Sequence, residues 1–333
     1  MNEANILEIK NLKSYFLTAK GVVPAVDDVT ITVPKGKIIG IVGESGCGKS
    51  MTAKSVLGLL KRPGKVVGGE ILLEGRDLTK LSQRELRKVS GNEISMIFQE
   101  PMTSLNPVVK VGKQVREAIL LHHKMSKADA KAKVLEIFTK VGINMPEQRY
   151  NSYPHELSGG LRQRVMIAMA MVCNPKVLIA DEPTTALDVT IEAQILKLMK
   201  DLSVDTGMSV IIITHNLGVV AEICDYVYVM YAGKIMEQAE TYELFDHKVH
   251  PYTEGLMASV PRIGQNEERL KTIPGVVPNL LHLPEGCAFC TRCAYADERC
   301  FKEKPIMTKV APDHGFCCFK TCNAAKTGEE AAT

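Results

Sequence analysis

Three short runs along the chain are almost wholly apolar: Ile38–Val42, Val177–Ala180 and Val210–Ile213. Each ends in a polar residue or a Gly-rich turn, and stretches with apolar residues at helical spacing lie between them. Strands buried on both faces read this way, so the pattern predicts a mainly parallel sheet covered by helices, an α/β fold. Leu7–Val33 reads differently. Gly21 and Pro24 interrupt it, while Val29, Ile31 and Val33 alternate with polar neighbours, which predicts short strands of an antiparallel edge sheet. Between about 102 and 157 no strand pattern recurs. There Ser126 fits a helix N-cap, and Val134, Leu135, Phe138 and Val141 keep helical spacing up to Gly142. This segment is read as a helical insertion. From about 236 onward prolines and glycines multiply (Pro251, Pro261, Gly264, Pro274, Gly275, Pro278) and periodicity fades, which predicts an irregular extension. The small, polar stretch 324–333 is expected to be a disordered tail.

Composition sharpens this picture at two points. The chain has 333 residues, 45% hydrophobic and 24% charged, ordinary globular material for about two domains. A net charge of only +3 offers no bulk attraction for nucleic acid, so no such partner is expected. No apolar run approaches the ~18 residues of a membrane span. The start, Met1–Asn5, lacks the basic and apolar regions of a secretory leader, so none is expected. Cysteine is the anomaly. Of ten, seven (Cys287, Cys290, Cys293, Cys300, Cys317, Cys318 and Cys322) follow residue 286. Without an export signal a disulfide scaffold is not expected, and the crowding points to metal binding in a separate C-terminal module.

Three motifs carry chemistry. Gly43-Glu44-Ser45-Gly46-Cys47-Gly48-Lys49-Ser50 fits G-x-x-x-x-G-K-[ST] directly after the Ile38–Val42 run. Its glycines let backbone N–H groups wrap a triphosphate at a helix N-terminus. Lys49 would reach the β- and γ-phosphates, and the Ser50 hydroxyl would ligate Mg²⁺. Asp181 and Glu182 close the Val177–Ala180 run. With a phosphate loop in the same chain, Asp181 can hold Mg²⁺ through water, and Glu182 can orient the water that attacks the γ-phosphate. Finally, Ser158-Gly159-Gly160 opens a helix whose apolar face includes Val165, Ile167 and Ala168.

In this order the motifs resemble the ATP-binding cassette (ABC) family over roughly residues 1–235. The resemblance implies a RecA-like P-loop core, an antiparallel β subdomain and a helical subdomain at about 102–157. It also implies further roles. Phe16 (with Tyr15 as the fallback) would stack on adenine, and Gln99 would contact Mg²⁺ and link the nucleotide to the helical insertion beside Glu100-Pro101. Ala186-Leu187-Asp188 would cross a dimer interface, and His215 would touch the γ-phosphate. In such a dimer, Gly43, Ser45, Gly46, Cys47, Gly48, Lys49, Ser50 and Met51 of one cassette face Ser158, Gly159 and Gly160 of the other. Two positions depart from the commonest form: Leu161 stands for a Gln, and Met51 for a small residue. Glu182 and His215 are both present, so nothing marks a degenerate site.

The stretch 236–323 narrows the branch. His250-Pro251-Tyr252-Thr253-Glu254-Gly255-Leu256, Ile273-Pro274-Gly275-Val276-Val277-Pro278 and Gly286-Cys287 resemble the extension of oligopeptide/dipeptide importer ATPases, which nickel importers share. By spacing alone the cysteines suit zinc and iron–sulfur equally, with Cys290-x2-Cys293 and Cys318-x3-Cys322 as a zinc-like set. The resemblance implies a four-iron, four-sulfur cluster on Cys287, Cys293, Cys300 and Cys318. It further implies ATP and Mg²⁺ as cofactors and a second, related ATPase subunit. Two transmembrane permease subunits and an extracellular binding protein would complete the assembly, with this chain peripheral on the cytoplasmic face of the cell (inner) membrane. Peptide is the expected cargo, with nickel or short oligosaccharides as alternatives. A soluble, non-transport ABC ATPase is the rival from another class. Repair-type members need sustained heptads between phosphate loop and signature, and none occur here.

Overall fold

The computed structural model describes residues 5–99, 104–185, 188–259 and 272–320. Glu100, Pro101, Ala186, Leu187, Cys322 and the tail lie outside the described residues. The chain divides into two compact units, each assembled from separate stretches of sequence. Among the described residues no helix is long and apolar enough to cross a membrane.

The first unit centres on Lys80–Ile213 with Val33–Ile38. In it β6 (Ile94–Ile97), β7 (Val177–Asp181) and β8 (Ser209–Thr214) run parallel, with Ile97 opposite Ala180 and Asp181 opposite Ile213. Every residue of these strands is buried, which is why their sequences lack alternation. The expected helical insertion is present as helices Val111–His122, Lys127–Lys140 and Pro146–Tyr150. Ser126 caps the second, its Oγ accepting the Asp129 N–H at 3.1 Å. Val134, Phe138 and Val141 are buried as their spacing predicts, whereas Leu135 is half-buried and Ile137 takes the inward place.

The second unit holds Glu8–Thr32, Ile39–Thr79 and the chain from Thr214 onward. One of its sheets has the order β2-β1-β4-β5, formed by β1 (Asn5–Thr18), β2 (Gly21–Pro34), β4 (Gly64–Leu73) and β5 (Arg76–Asp77). Gly21 and Pro24 do not interrupt it as expected: both lie within β2. That strand is the sheet's outer one, where a proline costs no ladder bond. The other arrangement starts from β3 (Ile38–Val42), parallel to β9 (Tyr226–Tyr231), with Ile39 opposite Tyr226 and Val42 opposite Val229. Next comes β10 (Lys234–Glu240), antiparallel to β9. The hairpin of β11 (Thr308–Ala311) and β12 (His314–Phe316) then pairs onto β10, with Glu237 opposite Phe316.

The extension is therefore more regular than its composition predicts. It supplies strands to a sheet and a helix, Pro251–Ala258, whose start follows simple rules. Pro251 occupies the first turn, and the His250 Nδ1 accepts the Tyr252 N–H at 3.0 Å. A wholly buried carboxylate ties these pieces together. Glu237 accepts the N–H groups of Val249 (2.6 Å) and His250 (3.1 Å) and pairs with the buried His314 Nε2 at 2.8 Å. Glu237 raises the His314 pKa, as the hydrogen bond to a carboxylate favours the charged imidazole.

Candidate functional site

The phosphate-loop residues all belong to the second unit. β3 delivers the chain into a turn that only glycine fits at two points. Gly43 has φ 150°, and a Cβ there would strike the Met230 carbonyl oxygen; Gly48 has φ 109°, and a Cβ there would strike that of Ala25. The helix Lys49–Val56 follows, with Gly48 at its N-cap. Lys49 is buried, and its ammonium donates to the carbonyls of Gly43 (2.7 Å) and Glu44 (3.0 Å), so the loop curls around the cation. Ser45 and Gly46 are exposed at the tip, and Ser50 and Met51 are half-buried. Cys47 is wholly buried; burial raises its thiol pKa, and its carbonyl accepts the Gly233 N–H at 2.8 Å. Its contribution is packing and backbone. Phe16 is half-buried in β1, against Gly64. Tyr15 is committed elsewhere: its hydroxyl donates to Asp27 at 2.6 Å, and burial with Asp27 pushes its pKa up to about 12.

The acidic residues belong to the first unit. Asp181 is buried as the last residue of β7. Glu182 follows at φ 48°, a left-handed conformation that costs a non-glycine residue roughly 1–3 kcal/mol. It is held there by its N–H donating to Ile213 O at 2.8 Å. Gln99 Nε2 donates to Glu182 Oε2 at 2.8 Å, and the Thr185 hydroxyl donates to the same oxygen at 3.0 Å. The structure thus joins two predicted residues, Gln99 and Glu182, and adds Thr185, which sequence spacing alone does not single out.

Ser158 caps the helix Gly159–Met171, its Oγ accepting the Leu161 N–H at 3.4 Å. Ser158 and Gly159 are exposed, so this helix start is open to solvent. Asp188, at the N-cap of the helix Val189–Thr206, and His215, directly after β8, are also exposed.

In the extension, Cys287, Cys293, Cys300 and Cys318 line one cavity together with Cys290. The described members of the zinc-like set, Cys290, Cys293 and Cys318, thus line the same cavity as the expected cluster ligands, and Cys322 lies outside the described residues. Cys317 turns instead to a second cavity, shared with Met236 and Met307. Burial pushes the Cys287 thiol up to about 12 and Cys318 to about 11, so unligated they stay protonated. Among the described residues, however, no three His, Cys, Asp or Glu side chains converge on a point where one metal ion would sit. The expected metal centre is not established by this geometry.

One more group faces the phosphate loop, and sequence reading does not find it. Arg292, between Cys290 and Cys293, grips Glu44 with both terminal nitrogens, at 2.7 and 3.1 Å. The only sequence signal is its place inside a cysteine-bearing turn.

Comparison with known proteins agrees with this arrangement. The ABC transporter family matches residues 26–185, and the oligopeptide/dipeptide transporter C-terminal region matches 236–300. A probable peptide ABC transporter ATP-binding protein of Sinorhizobium fredii is 51% identical over 318 residues, 95% of each chain. The oligopeptide transport ATP-binding protein OppD of Bacillus subtilis is 52% identical over 311 residues, 93% of this chain and 87% of that one. Among solved structures, the cassette MJ0796, a dimer in a post-hydrolysis state bound to ADP and phosphate, superposes with a TM-score of 0.64 at 26% identity. That match covers 71% of this chain and 98% of the other. The chain belongs to the ABC transporter family as an ATP-hydrolysing cassette, in the branch that carries the oligopeptide/dipeptide transporter C-terminal region.

Proposed function

We propose that this chain is the ATPase subunit of a binding-protein-dependent importer of di- and oligopeptides, with the ATPase at 1–235 and the importer-type extension at 236–323. The extension carries the reading, because generic cassettes lack it. In the proposed cycle the backbone of Gly43–Ser50 wraps the triphosphate, and Phe16 stacks on adenine. Lys49 leaves the loop carbonyls for the β- and γ-phosphates. Ser50, Asp181 and Gln99 are assigned to Mg²⁺, Glu182 to the attacking water, and His215 to the γ-phosphate. Ser158, Gly159 and Gly160 act on the nucleotide of a second cassette, for which an exposed, capped helix start suits an anionic ligand. ATP then favours the closed dimer and hydrolysis releases it, a shift set by differential affinity. That second cassette is a related but distinct subunit. Two membrane-spanning permease subunits and an external binding protein complete the assembly, and the chain sits at the cytoplasmic face of the membrane.

The test is transport. Reconstituted in vesicles with its permease pair and binding protein, the chain is expected to drive ATP-dependent uptake of labelled peptides. Uptake of nickel or an oligosaccharide in place of peptide would replace the assigned cargo, and ATP hydrolysis without any membrane partner would replace the importer reading.

Cys287, Cys293, Cys300 and Cys318 are assigned to a four-iron, four-sulfur cluster, with zinc as the alternative. The support is chemical: five soft thiols ring one cavity without converging on a single ion, which suits a cluster better than one metal. When bound, such a cluster would cross-link the extension and hold its thiols deprotonated. Anaerobically purified protein should contain iron and acid-labile sulfide in equal amounts. Cys318→Ser should lose both and Cys317→Ser neither, whereas a colourless protein with one zinc overturns the assignment.

A further inference from the structure

Two of the segments that distinguish the extension in sequence, together with Arg292 from the cysteine-bearing stretch, converge directly or through one another on one residue of the phosphate loop, Glu44. The Tyr252 hydroxyl accepts the Glu44 backbone N–H at 2.9 Å. Arg292 holds the Glu44 carboxylate in a two-point ion pair, at 2.7 and 3.1 Å. The Ile273-Pro274-Gly275 turn in turn holds Arg292, whose Nε donates to the Pro274 carbonyl at 2.9 Å and whose Nη2 donates to that of Ile273 at 3.2 Å. Gly275 is needed there, because its φ is 79° and a Cβ would come within 3.2 Å of the arginine stem. Arg292 also reaches the Tyr231 hydroxyl at 3.4 Å, so each of its three nitrogens has a partner.

The surroundings make this a fixed arrangement. The Arg292 side chain is only 3% exposed. Tyr252 is wholly buried between Tyr231 and Phe289, with ring centroids 4.6 and 5.3 Å away. A planar guanidinium in a two-point pair fixes orientation as well as distance, which a lysine cannot do. Glu44 is the second residue of the loop, and its carbonyl is one of the two that cradle Lys49. Fixing its carboxylate, N–H and carbonyl together therefore fixes the loop's entry. A loop already held in its binding shape loses less conformational freedom when ligand arrives, and so binds more tightly.

We infer that the C-terminal extension is a clamp on the phosphate-binding loop, with Arg292 and Tyr252 as positioning residues that hold Glu44 and thereby set nucleotide affinity. This rests on Gly43–Ser50 being the triphosphate cradle, so the experiment separates the two ideas. Mg·ATP binding to the full chain is measured by calorimetry, alongside melting curves and amide exchange of the loop. Arg292→Gln and Glu44→Gln are each expected to raise the ATP Kd about tenfold and to speed exchange at residues 43–49. The double variant should be no worse than either single one, because both remove the same pair. Tyr252→Phe deletes one hydroxyl from an intact ring stack, so it keeps the test open if Arg292→Gln does not fold, and a severalfold weaker affinity is expected. An unchanged Kd in the folded Arg292→Gln or Tyr252→Phe variant overturns the clamp, as does strict additivity in the double variant. Retained binding in Lys49→Ala overturns the cradle itself.

Discussion

Glu182→Gln should leave ATP binding intact and reduce turnover by about 10²- to 10⁴-fold, the usual contribution of a positioned general base. The geometry says why the two effects separate. Gln99 and Thr185 both donate to one carboxylate oxygen, Oε2, at 2.8 and 3.0 Å. A glutamine can present its carbonyl oxygen at that place and keep both bonds. The backbone N–H bond to Ile213 is untouched as well. What is lost is the negative charge and basicity that would draw a proton from water. Steady-state phosphate release together with ATP binding checks this, and turnover within tenfold of the parent chain removes Glu182 from the role of base.

The second large effect is expected from a single methyl group. Gly43→Ala would place a Cβ into the Met230 carbonyl oxygen and close against the Cys47 sulfur, at a φ of 150° that side chains rarely adopt. Neither neighbour is the loose end of a flexible side chain: one is backbone, and the other belongs to a wholly buried residue. The loop has to move, at a cost of about 1–3 kcal/mol for overpacking. That distortion falls on the residue whose carbonyl holds Lys49. ATP affinity should fall by about 100-fold while the melting temperature drops by only a few degrees. Gly46→Ala is the comparison. Its φ of 80° strains a side chain, but nothing lies within 4 Å of the added carbon, so the loss should be smaller.

The parts of the molecule legible from sequence are those where one local rule decides. Ile38–Val42 and Val210–Ile213 are buried on both faces, so hydrophobicity alone marks them as strands. The phosphate loop is legible because backbone sterics demand glycine at fixed offsets. Ser126 and Ser158 are legible because a hydroxyl at a helix start satisfies a local amide. Illegible features depend on what a residue meets across the chain. Pro24 reads as a break because its tolerance depends on β2 being the outer strand of its sheet. Thr185 and Gln99 share one oxygen of Glu182, and only folding brings them there. Arg292 is 248 residues from the glutamate it grips. The extension reads as irregular because prolines and glycines mask a helix whose first turn a proline suits, and because strands as short as His314–Phe316 carry too few residues for periodicity.

The hairpin paired onto β10 also bears on where the chain can be cut. Without β12, the backbone amides and carbonyls along one side of β10 would become an open sheet border, the kind of surface on which chains stack edge to edge. The same cut would strip Glu237 of His314 and, if made before residue 249, of the Val249 and His250 amides, leaving a buried carboxylate short of partners. A chain cut between β10 and this hairpin is therefore a sticky object with a charge in the wrong place, and its behaviour would say little about the intact subunit.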